Sequence, residues 1–161
     1  MIKVIGIDPG LADTGVGIVR GRDGRVSGYS FGSISTPKHD TLPCRLHQIF
    51  SGIQELLREE KPDLLMVEDV FFLKKYPVSG IVLGEVTGVV LLAGFQANVK
   101  AVQVPVREIK QVVTGNGNAG KKQLGEAVRR FLGHDGPISP DHASDALALA
   151  ITGLLRYDRL S

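Results

Sequence analysis

Asp8 and Glu68 each end a short apolar run, Ile2–Ile7 and Leu64–Val67, and Asp145 stands near the start of a late helical stretch. Carboxylates placed this way suit a metal-dependent nuclease. Two neighbouring carboxylates repel unless something positive lies between them, and hard divalent cations such as Mg2+ are bound in this way, usually together with a substrate phosphate. Two cations on three or four such ligands would activate a water on one side of a phosphodiester and stabilise the departing 3′ oxygen on the other. No protein nucleophile is then needed. The sequence agrees, with no Gly-x-Ser-x-Gly elbow, no His-Glu-x-x-His and no cysteine paired with a base. Asp141 and His142 precede Asp145 by four and three residues, so both share its helix face, and spacing alone does not choose between them as a fourth ligand.

The elements that must position these residues follow from the apolar pattern. Ile2 to Asp8 reads as a central strand covered on both faces, stopped by Pro9-Gly10. Thr14–Arg20 and Arg25–Ser35 flank the turn cluster Gly21-Arg22-Asp23-Gly24 and complete a three-stranded antiparallel meander. Leu42, Leu46, Ile49, Phe50, Ile53, Leu56 and Leu57 form a helical stripe, with Thr41 as N-cap, Pro43 in the first turn and Lys61-Pro62 as the stop. A right-handed crossover then sets Leu64–Val67 parallel to the first strand, so that Asp8 and Glu68 share the carboxyl edge of the sheet, where ligands bind in open α/β folds.

Further along, Val78–Ala93 predicts a buried helix whose Gly80, Gly84 and Gly88 serve close packing against another helix or subunit. A fifth strand is expected over Val99–Val104, and helices over Val106–Val113, Lys121–Leu132 and Asp141–Tyr157, the last capped by Ser139 with Pro140 at its first position. Its buried stripe is Leu147, Ala150, Ile151, Leu154 and Leu155. The whole, residues 1–161, reads as one α/β domain with a five-stranded mixed sheet, a meander plus two parallel strands, flanked by helices.

Composition sets the outer bounds. The 161 residues are 43% hydrophobic and 22% charged, ordinary for a globular chain and unlike disordered or fibrous ones. One cysteine, Cys44, permits no internal disulfide and reads as a packed thiol in a reducing compartment; no secretion signal or membrane span is expected, which points to the cytoplasm. Net charge is only +2, but Lys100 to Leu132 carries seven Lys or Arg against two Glu. Taken alone, that run describes a solvated helical face. Gly115-Asn116-Gly117-Asn118-Ala119-Gly120-Lys121 imitates a phosphate-binding loop, yet Lys122 stands where Ser or Thr would hold Mg2+, and a helix pattern precedes it instead of a strand. It reads as a glycine-rich hinge presenting Lys121 and Lys122 to phosphates. A sugar kinase or chaperone ATPase shares the opening strand, acid and glycine turn but needs a duplicated domain for which 161 residues leave no room.

The stretches Ile5-Gly6-Ile7-Asp8-Pro9-Gly10 with Thr14-Gly15, Val67-Glu68-Asp69-Val70-Phe71, Gly84-Glu85-Val86-Thr87-Gly88, Lys110-Gln111-Val112-Val113 with Gly115 and Gly117, and Asp145-Ala146-Leu147-Ala148 occur in this order. Together they resemble the RuvC family of Holliday-junction resolvases, of the RNase H-like (retroviral integrase) superfamily, over essentially the whole length. The resemblance implies an RNase H-like fold and a homodimeric crossover junction endodeoxyribonuclease, active in recombination and DNA repair, that nicks two opposed strands of a four-way DNA junction with divalent metal, Mg2+ or Mn2+, two per site. It implies Asp8, Glu68 and Asp145 as catalytic acids and metal ligands. His142 occupies the fourth family position, often an aspartate, and is preferred over Asp141 as ligand or general base. Phe71 matches an aromatic that stacks on opened bases. Lys110 and Lys121 match basic residues near the cleaved strand, and Lys122 is a further DNA contact, with Lys74, Lys75, Arg129 and Arg130 less firmly indicated. A branch-migration motor complex of the RuvA and RuvB type is the implied partner.

Overall fold

The computed structural model describes residues 1–69 and 77–157. Five strands form one sheet: β1 (Ile2–Asp8), β2 (Asp13–Arg22), β3 (Arg25–Ser35), β4 (Leu64–Glu68) and β5 (Ala101–Val104). Five helices surround it: α1 (Leu42–Glu60), α2 (Pro77–Gln96), α3 (Val106–Thr114), α4 (Lys121–Leu132) and α5 (Asp141–Tyr157). The spatial order is β3-β2-β1-β4-β5, antiparallel through the meander and parallel from β1 to β4 and β5. This is the mixed sheet expected from the sequence.

Strand parity divides the core in two. Ile2 and Val4 of β1 and Leu64 and Met66 of β4 pack with α3, α4 and α5 on one face. Ile5, Ile7, Leu65 and Val67 point the other way, onto Ile49, Ile53 and Leu57 of α1 and Val86, Val90 and Ala93 of α2. Removing each fully buried Ile or Leu from water contributes about 1.5–3 kcal/mol, so both faces are strongly held.

The α5 face is unusually close because its contact is made by backbone. Gly6, Gly15 and Gly17 lie beneath α5, and a Cβ at Gly6 would come 2.0 Å from the carbonyl oxygen of Ala146, one at Gly15 2.0 Å from that of His142. Only glycine fits there. The helix is buried almost all round from Ala143 to Leu154, so the narrow stripe expected from periodicity was too small. Leu155 is only half-buried.

Four other expectations need correction. The last helix spans Asp141–Tyr157 as expected, but Pro140 precedes it and does not open it; the Ser139–Pro140 peptide is cis, and the Pro140 carbonyl accepts from the Ala143 N–H. Cys44 is exposed in the first turn of α1 and is not packed. The fifth strand starts at Ala101, because the Val99 N–H is used to close the end of α2 on the Gly94 carbonyl. And α2, which by length and composition alone could cross a membrane, is buried on one side only. Among the described residues nothing lies against a Cβ built at Gly84 or Gly88, and Val78, Ile81, Leu92 and Phe95 are exposed, Phe95 by 82%.

Candidate active site

Register and parity bring the first two acids together. Val4 pairs with Leu64 and Ile7 with Val67, so the next residues along these parallel neighbours are Asp8 and Glu68. Adjacent strands lie about 4.8 Å apart, and the even parity of Ile2 and Val4 turns Asp8, like Glu68 after Leu64 and Met66, toward the α5 face. There α5 presents its first turns, pinned by the glycine contacts beneath it. His142 Nδ1 lies 2.8 Å from Asp8 Oδ2, with the Asp8 side chain only 8% exposed and that of His142 48%.

The electrostatics report the same crowding. Glu68 is pushed up to about 8 by burial first, then by a hydrogen bond with Asp8 and the charges of Asp8 and Asp145, with Lys110 opposing. Asp145 is likewise raised, by burial and then by Asp8, while Lys121 and His142 act against the shift. Two lysines therefore face the acids from separate helices. Lys110 of α3 and Lys121 of α4 line one cavity of ≈ 180 Å³ with Glu68 and Asp145.

Asp141 stands apart from this group. Its carboxylate pairs with Lys121 at 3.3 Å on the exposed first turn of α5, where negative charge also suits the positive end of the helix. Lys122 lines the next hollow, with Arg129 and Asp141, and does not share the cavity of Glu68. Arg130 lies elsewhere, beside Gly24 and Phe131. Phe71, Lys74 and Lys75 lie outside the described residues.

The glycine-rich stretch between α3 and α4 is a braced turn and not a hinge. The N–H groups of five consecutive residues, Gly115 to Ala119, all donate inside it: to the Gln111 carbonyl, Thr114 Oγ1, Gln111 Oε1, Asn116 Oδ1 and the Asn116 carbonyl. Five of its amides are thus committed within the turn and are not free to cradle a phosphate, which separates it from a nucleotide loop of similar spacing.

The donor set suits a hard divalent cation. Asp8 raises both Glu68 and Asp145 on top of their burial, and a cation bound among such carboxylates would favour their charged forms. Among the described residues no three such side chains already form a finished metal cage. Within the cluster Asp8 is hydrogen-bonded by the His142 imidazole, and its bond with Glu68 favours the protonated form of Glu68.

A sheet of this order, with acids at the carboxyl ends of its two central parallel strands and on the helix packed across them, defines the RNase H-like class. The model of the family described as "Crossover junction endodeoxyribonuclease RuvC" matches residues 4–153, and this chain belongs to that family. It is 41% identical over 99% of its length to the RuvC of Syntrophomonas wolfei, covering 92% of that protein, and 39% identical to that of Carboxydothermus hydrogenoformans, with 99% of each chain covered. The solved structure described as Thermus thermophilus RuvC in complex with a Holliday junction substrate superposes with a TM-score of 0.91 at 28% identity, over 99% of this chain and 96% of that one. The yeast mitochondrial resolvase Ydc2 shares the fold at a TM-score of 0.62 and 11% identity, covering 97% of this chain and 80% of that one.

Two features escaped the sequence reading. The track of Gly6, Gly15 and Gly17 has a visible signal, glycine on alternate positions of apolar strands, which marks a backbone brought against the sheet. The role of Gln111 leaves no comparable trace.

Proposed function

We propose that this chain is a metal-dependent endonuclease that resolves four-way DNA junctions by paired nicks in opposed strands. The observation that carries the reading is the convergence of Asp8, Glu68, Asp145 and His142 beneath two lysines, in a member of a family whose relatives bear the name of this activity.

Asp8, Glu68, Asp145 and His142 would hold the metal, which we take to be Mg2+ or Mn2+, two per site. When bound, the cations supply Lewis acidity at the scissile phosphate and activation of the attacking water. Lys110 and Lys121 neutralise the phosphate as it enters and the charge that builds on it during displacement. Asp8 orients the His142 ring by its 2.8 Å bond to Nδ1, so the other nitrogen is set to accept a proton or to ligate. Hydrolysis in this sense leaves a 3′ hydroxyl and a 5′ phosphate, ends that ligase can join. Phe71, outside the described residues, is the proposed stacking residue, and Lys122 a flanking phosphate contact.

Two nicks in a near-twofold substrate require two sites related by a twofold axis, and the working form is a homodimer. The outer face of α2 supports this. Val78, Ile81, Gly84, Gly88, Leu92 and Phe95 recur three or four residues apart on one exposed helix face, with glycines where a second backbone can approach. The family reading adds a cytoplasmic setting and a motor partner of the RuvA and RuvB type, within recombination and repair.

The test is cleavage of a synthetic four-way junction with divalent metal by the parent and by Asp8→Asn. Binding retained with cutting abolished is expected. Cutting by Asp8→Asn at the parental rate would sink the assignment.

A further inference from the structure

Lys110 and Lys121 reach the same cavity from two helices joined by a turn of six residues, 115–120, so something must fix their spacing. Gln111 sits next to Lys110, and its side-chain amide spans that turn: Oε1 accepts from the Gly117 N–H at 3.0 Å and Nε2 donates to the Gly115 carbonyl at 3.0 Å. The two bonds fix which way the amide points, since a backbone N–H can only donate and a carbonyl only accept. Its backbone carbonyl also receives the Gly115 N–H, so one residue makes three bonds to two residues of the chain reversal, Gly115 and Gly117.

The rest of the turn is shaped to match. Gly115 has φ +80°, which glycine adopts without strain, and a Cβ at Gly117 would come 3.0 Å from Cγ of Arg107, so the turn lies flat on α3. Thr114 Oγ1 donates to the Lys110 carbonyl and accepts from the Asn116 N–H, tying the turn to the residue that carries the first lysine. Ala119, buried, anchors the far end just before α4 begins at Lys121.

We propose that Gln111 is a positioning residue: its amide locks the 115–117 turn and thereby sets the separation of Lys110 and Lys121 across the acid cluster. It acts through the two lysines, by its bonds to Gly115 and Gly117. The inference rests on the phosphate role proposed above for the two lysines. A cation displaced by a fraction of an ångström still attracts DNA, because long-range attraction is tolerant of position, but it stabilises a transition state less well, because that demands precise placement. The brace should therefore act on kcat and leave substrate binding alone.

The experiment is steady-state cleavage of a synthetic junction with Mn2+ by Gln111→Ala and Gln111→Glu, each also combined with Lys121→Ala, beside the single lysine variants. Gln111→Ala is expected to lower kcat by about ten- to a hundredfold with KM unchanged within about twofold, and Gln111→Glu, which keeps the acceptor for Gly117 and loses the donor to Gly115, by less. In the Lys121→Ala background the same change should cost about twofold at most. An unaltered kcat, or a loss that persists undiminished without Lys121, overturns the proposal. Should Gln111→Ala lose its cooperative melting transition, Gln111→Glu alone decides by the same criteria. Lys110→Ala and Lys121→Ala that both cut like the parent would instead remove the lysine roles, and this inference with them, so the two failures are told apart.

Discussion

Two apolar helices rich in small residues, α5 and α2, lie on opposite faces of the same sheet, and their small residues serve opposite ends. In α5 the approach is inward: backbone meets the glycine track of β1 and β2, and the helix is sealed from water along most of its length. In α2 Gly84 and Gly88 face outward among exposed Val, Ile, Leu and Phe, while Gly94 packs inward on Leu65. Small residues in an apolar helix thus signal close approach, and only the location of the partner, within the chain or on another, distinguishes the two cases.

The largest effect should come from filling the inward contact. Gly6→Val would drive a side chain into the Ala146 carbonyl, which backbone cannot yield cheaply, and is expected to cost at least about 3 kcal/mol, read as a lost or sharply lowered melting transition. A melting temperature equal to the parent's would show that α5 does not rest on this track. The same kind of change on α2 should behave differently. Ile81→Glu with Phe95→Glu is expected to keep the fold within about 0.5 kcal/mol per exposed site, yet convert the proposed dimer to a monomer in sedimentation and uncouple the proposed paired nicking. Persistence of the dimer would assign its interface elsewhere.

A smaller effect concerns pH, and its sign can be worked out. Below pH 4.5 Glu68 carries its proton in folded and unfolded chains alike; between 4.5 and about 8 only the folded chain retains it. The folded state therefore binds more protons in that window, and stability falls as pH rises through it, by on the order of 2 to 4 kcal/mol for this group. Without metal, Glu68→Gln should lack this slope in urea denaturation between pH 5 and 8.5. Divalent cation, which replaces the proton, should stabilise the parent more at pH 8.5 than at 5. A parallel pH response in parent and variant would contradict the raised proton affinity of Glu68.

The smallest effect separates metals. Imidazole suits Mn2+ better than Mg2+, so Mn2+ should support cleavage at least as well, and His142→Ala should lose more of its activity in Mn2+. Equal losses in the two metals would argue for an orienting role on Asp8 alone.

Much of this was legible in the sequence where local chemistry and tertiary structure agree. The strands ending in Asp8 and Glu68 are apolar at nearly every position, and such runs leave little freedom over where their last residues emerge. His142 was separable from Asp141 only through the family pattern, because three and four residues are equally good helical spacings; the structure sets His142 against Asp8 and Asp141 against Lys121. What stayed hidden depends on neighbours distant in sequence. The exposure of α2 is invisible in its composition, which would fit a core helix equally well, and the braced turn at Gly115–Ala119 hid behind a spacing that phosphate loops also use.

The shared parity of Asp8 and Glu68 carries a last consequence. A one-residue slip of either strand would send its acid to the wrong side, and neither acid is useful until the C-terminal helix has docked across them. On the catalytic assignment proposed above, a partly folded copy would lack the assembled acid cluster, and the capacity to cut DNA would arrive only once α5 is seated.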